Sequence, residues 1–100
     1  MTYALKIFDS DDASPEQHRM AEARFRQVLE ESLGDAALVL PMRAAYRRIV
    51  ATYGESPDPD SLTGAERAVF DQWQAAELAA VAAAFGPNRY MGDAMYEISE

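Results

Sequence analysis

The stretch TGAERAVFDQWQAAELAAVAAAFGP, residues 63–87, decides how this chain folds. Thr63 is followed three residues later by Glu66, the spacing at which each side chain can satisfy an orphan backbone N–H of the other. At the far end Gly86-Pro87 forbids continuation, because proline has no N–H to donate and disfavours helical geometry before it. A helix over 64–85 follows. Val69, Phe70, Trp73, Ala76, Ala80 and Ala83 form one stripe, and Leu78, Val81 and Phe85 extend it around the axis. The later turns are apolar almost all round, so this helix is expected to be central to the fold or shared with another chain. The alanines at 75–76, 79–80 and 82–84 permit close helix approach, either within one molecule or across a two-fold axis. Two further helices cannot easily cover every side of it, which favours self-association.

Working back along the chain, Ser14-Pro15-Glu16-Gln17 is a second capping box with proline preset at the first helical position. It opens a helix over 15–33 whose stripe is Ala21, Phe25, Val28, Leu29 and Leu33, and Gly34 supplies the left-handed stop. Asp35 can cap a further segment, but Pro41 predicts a break or kink. The middle helix is therefore placed over 41–53, with Met42, Ala45, Tyr46, Ile49, Val50 and Tyr53 inward and Gly54 at its end. ESPDPDS, residues 55–61, is a loop by composition. At the chain ends TYALKIF (2–8) and AMYEIS (94–99) alternate polar and apolar residues, as short half-buried strands do; a short helix over Asn88 to Met91 is an alternative for the start of the tail. The expected fold is mainly α: one domain over 1–100, a three-helix core (about 15–33, 41–53 and 64–85) and short terminal strands. An isolated strand pair is marginal, so helix packing or a partner's strands must support it.

The 100 residues carry 17 acids against 9 lysines and arginines, a formal net charge of −8. Nucleic acid and anionic membranes both demand clustered cations, so neither is an expected partner. No apolar run approaches the roughly 20 residues of a membrane-spanning helix. The amino terminus lacks a basic stretch followed by a long apolar core, so no secretory leader is expected and the expected location is cytoplasmic. With no cysteine there is no disulfide framework, thiolate metal site or cysteine nucleophile. The acidity is uneven. Residues 35–54 carry only Asp35 against Arg43, Arg47 and Arg48, while residues 1–34 carry seven acids against four bases and residues 55–86 six against one.

Few residues suggest chemistry. His18 is the sole histidine, without the convergent partners that a metal or general-base site needs, and reads as a surface helix residue. Asp9, Asp11 and Asp12 crowd oxygen ligands into four positions, but the sixth and twelfth positions of a calcium loop would be Ser14 and Met20 instead of glycine and glutamate. A polar connection favouring the start of the first helix accounts for them better. Arg43, Arg47 and Arg48 are the sharpest local feature. Arg43 and Arg47 lie one turn apart, on a face expected to be solvent-exposed, where guanidinium forks suit planar anions; pairing with nearby acids of the same molecule is the blander and favoured alternative. Of the aromatics, Tyr46, Tyr53 and Trp73 read as core, whereas Tyr90 and Tyr96 in the tail are the better interface residues.

No metal or cofactor is called for, no catalytic constellation is evident, and an enzyme is the less favoured class. The expectation is a small acidic, non-enzymatic protein-interaction module that self-associates through the third helix. It would meet partners through Arg43, Arg47, Arg48, Tyr90 and Tyr96. The alternatives are a small nucleic-acid-contacting regulator using the arginines of the middle helix, and a ligand-binding domain whose site forms at a dimer interface.

Overall fold

A computed structural model describes residues 1–5, 14–86 and 96–100. Strand β1 (Thr2–Leu5) leads to helix α1 (Pro15–Leu33), a 3-10 turn over Ala36–Leu38, helix α2 (Val39–Tyr53), a second 3-10 turn over Pro59–Ser61, helix α3 (Gly64–Phe85) and strand β2 (Tyr96–Ser99). The expected mainly α architecture with two short terminal strands is therefore what the chain adopts. The outer parts of both expected strands, 6–8 and 94–95, and the alternative short helix over 88–91 lie outside the described residues.

Both capping boxes form. The Ser14 N–H donates to Gln17 Oε1 at 2.8 Å and the Gln17 N–H to Ser14 Oγ at 3.2 Å. The Thr63 N–H donates to Glu66 Oε1 at 3.0 Å and the Glu66 N–H to Thr63 Oγ1 at 3.1 Å. Gly34 ends α1 with φ 88°, a left-handed conformation that a Cβ would strain. The break expected at Pro41 falls earlier. Asp35 accepts the Ala37 N–H at 2.9 Å and starts the 3-10 turn, which runs straight into α2 at Val39. Pro41 is then the third residue of α2, inside the first turn. N–H groups there have no intrahelical acceptor, so its missing donor costs the helix nothing.

Helix α3 is the spine, packing most extensively on α1 and less on α2. Phe25, Leu29, Val39, Trp73 and Ala80 are fully buried between the helices. Tyr46 bridges to α3, stacking on Phe70 with ring centroids 5.3 Å apart and leaning on Trp73 at 6.4 Å. Tyr53, expected inward, is instead exposed at the end of α2, where its hydroxyl donates to Glu66 Oε1 at 3.3 Å.

The strands pair antiparallel, Thr2 with Ser99, Tyr3 with Ile98, Ala4 with Glu97 and Leu5 with Tyr96. Strict alternation turns Tyr3, Leu5, Tyr96 and Ile98 to one buried face. That face lies on the helices through Phe25, whose ring meets Tyr3 edge-on at 6.3 Å and Tyr96 at 4.8 Å. Intramolecular helix packing thus supports a strand pair too small to stand alone.

Candidate functional site

The residues that bury charge converge on Tyr96. Along α2 the buried positions are Val39, Met42, Arg43, Tyr46 and Ile49, so Arg43 occupies a core position of the stripe, four residues after Val39 and three before Tyr46. The solvent-facing placement expected for Arg43 does not hold; only 2% of its surface is exposed. Along α3 the buried positions are Trp73, Ala76, Glu77, Ala80 and Val81, and Glu77 is likewise 2% exposed. Tyr96, the first residue of β2, projects between the two.

Each part of Tyr96 is engaged. The Arg43 guanidinium lies over its ring, 4.6 Å from the centroid, where the π face attracts a cation. Arg43 Nη2 donates to the Tyr96 carbonyl oxygen at 3.3 Å, and Nη1 lies 3.5 Å from Glu97 Oε1, a carboxylate at the solvent edge. The Tyr96 hydroxyl donates to Glu77 Oε2. One tyrosine therefore ties α2, α3 and the terminal sheet together through a buried cation and a buried carboxylate. Removing one partner of such a buried set is costly, because it strands the other in a medium that cannot solvate it. The chemistry available to this cluster is recognition of its own strand: it fixes where β2 docks and which face it turns inward.

Of the expected contact residues, the structure brings Arg43 and Tyr96 together inside the molecule. Arg47 and Arg48 remain exposed on α2, and Tyr90 lies outside the described residues. Glu77, Glu97 and Phe25 belong to the same cluster and were not among the candidates. Glu77 carried a usable signal, being four residues from both Trp73 and Val81 on the apolar stripe.

A second polar group sits under the sheet. The Tyr3 hydroxyl is buried and has no hydrogen-bond partner among the described residues. Burial, reinforced by the nearby Glu30 carboxylate, pushes its pKa up to about 12, against an opposing pull from Arg26. The Arg26 guanidinium lies 5.6 Å from the Tyr3 ring centroid, and its Nε donates to Glu30 Oε2 at 2.9 Å.

His18 is half-buried in the first turns of α1, while Asp9, Asp11 and Asp12 lie outside the described residues. No group of three or more histidines and acids is placed to hold a metal ion among the described residues. No helix among them is long and apolar enough to cross a membrane. The concave surfaces are shallow and open. One of about 600 Å³ is walled by Met1, Ala37, Leu40 and Pro41 at the end of the sheet, and one of about 390 Å³ runs between α2 and α3. No family model, curated protein or solved structure significantly matches the chain.

Proposed function

We propose that this chain is a small protein-interaction module that self-associates through the outer face of α3. The observation that carries the reading is the distribution of charge along that helix. From Gln72 to Phe85 the one charged residue is Glu77, and it is turned inward onto Tyr96. The outer stripe is left to Ala75, Leu78 and Ala79, all exposed, with Leu78 retaining 50% of its surface. An antiparallel two-fold would seat Leu78 of each copy among the small side chains of the other, which let the two backbones approach closely. Half of a leucine and a few methyl groups per chain is a modest area, so the dimer should form in the range of about 10 µM to 1 mM. The net charge of −8 resists close approach elsewhere on the surface, which favours this uncharged stripe as the point of contact.

Sedimentation velocity over that concentration range tests the reading. A reversible monomer–dimer equilibrium that Leu78→Glu abolishes while leaving the helical spectrum intact is the expected result. A chain that stays monomeric throughout, or a dimer indifferent to Leu78→Glu, overturns it.

A further inference from the structure

We infer that the groove between α2 and α3 is a separate docking surface for an acidic amphipathic helix of another protein. Its floor is apolar: Ala45 and Ile49 from α2 face Ala65 and Val69 from α3, with Thr52 at one end. At about 390 Å³ and open to solvent, it is shaped for side chains laid in from above and not for an enclosed small molecule. The α2 wall runs from Ala45 to Thr52, a length of about 10 Å at the helical rise. That matches two successive turns of a visiting helix, with apolar anchors at i, i+3 or i+4, and i+7.

Charge selects the visitor. Arg48 lines the groove, is exposed, and makes no ion pair among the described residues. Arg47 is exposed beside it. The opposite wall carries Glu66, but that carboxylate already accepts the Thr63 N–H at 3.0 Å and the Tyr53 hydroxyl at 3.3 Å. In a chain of net charge −8, the segment over 35–54 is the stretch where cations outnumber acids three to one, and with Arg43 turned inside, Arg47 and Arg48 carry that surplus at the surface. An acidic helix meets its complement here, whereas a basic one would be drawn to the rest of the molecule. The surface is distinct from the proposed self-association face, which lies on the later turns of α3 at Ala75, Leu78 and Ala79.

The test uses two fluorescein-labelled helical peptides with leucines at i, i+4 and i+7, one with glutamates at its polar positions and one with lysines. Anisotropy gives affinity, and amide shifts of the ¹⁵N-labelled chain give location. The glutamate peptide should bind and shift Ala45, Ile49, Thr52, Ala65 and Val69, weaken by about ten-fold or more in Arg48→Glu, and be unaffected by Leu78→Glu. Arg48 is exposed, so its variant keeps the fold, and an unchanged circular dichroism spectrum checks that. Equal or tighter binding of the lysine peptide, shifts confined to another surface, or no binding of the glutamate peptide at millimolar concentration overturns the proposal. Loss of self-association in Arg48→Glu would instead seat a second copy in the groove, and that also overturns it.

Discussion

Replacing Tyr96 by phenylalanine removes one oxygen and nothing else, and it does so where Glu77 is 2% exposed and depends on that hydroxyl as a donor. The ring remains, so its packing on Phe25 and under the Arg43 guanidinium is retained. The loss is then a charge-assisted hydrogen bond plus the cost of a carboxylate left short of donors, about 1.5–3 kcal/mol. Against a total of roughly 5–15 kcal/mol for a domain of this size, that is a substantial fraction. At about 4–8 °C per kcal/mol, thermal unfolding should fall by around 10–20 °C. Urea unfolding followed through the buried Trp73 and through far-UV circular dichroism should show the same drop in midpoint with an unchanged slope. Pairing the substitution with Glu77→Gln isolates the contact, and the two should couple by about 1 kcal/mol or more. A Tyr96→Phe variant within about 0.5 kcal/mol of the parent, or strictly additive losses in the pair, would mean that the hydroxyl does not hold Glu77 and that β2 docks by apolar packing alone.

The other expectations concern single sites. Tyr3→Phe deletes a buried hydroxyl that has no partner among the described residues, so at neutral pH it should be neutral or stabilising by up to about 1 kcal/mol in urea melts. The same phenol titrates at about 12 in the folded chain against 10.0 in its absence, so the neutral form favours folding. Its contribution is complete below pH 10 and is lost as pH rises towards 12, by about 1–2 kcal/mol after solvent screening; the difference between parent and Tyr3→Phe in alkaline melts should show that loss. Gly34→Ala meets no atom within 4 Å but must adopt φ +88°, so it should cost about 1 kcal/mol through backbone strain alone. Thr63→Ala breaks the capping box and should cost about 1 kcal/mol, read as a lowered urea midpoint.

The helices were legible because their signals are local. Ser14 with Gln17, Thr63 with Glu66, and Gly34 each act within one turn, and no tertiary knowledge is needed to read them. The strands were legible as alternation in Thr2–Leu5 and Tyr96–Ser99. What the sequence hid was the interior charge. Arg43 reaches a carbonyl 53 positions away, and Glu77 takes a hydroxyl 19 positions away. A charged residue reads as solvent-facing until its partners are known, because burying it alone is prohibitive. Pro41 misled for the opposite reason: its local rule is sound, but the first turn of a helix is exempt from it.

The two halves of the arginine island are linked through this geometry. At about 100° per residue, Arg48 projects roughly 140° around α2 from Arg43. Fixing Arg43 on Tyr96 therefore fixes the rotation of α2, and that rotation turns Arg48 into the groove beside Ala45, Ile49 and Thr52. Were α2 turned so that all three arginines faced water, Val39, Met42 and Tyr46 would leave the core with them, and Ile49 would no longer line the groove. The cluster around Tyr96 thus has a consequence beyond stability: it determines which cation is presented at the surface and beside which apolar floor.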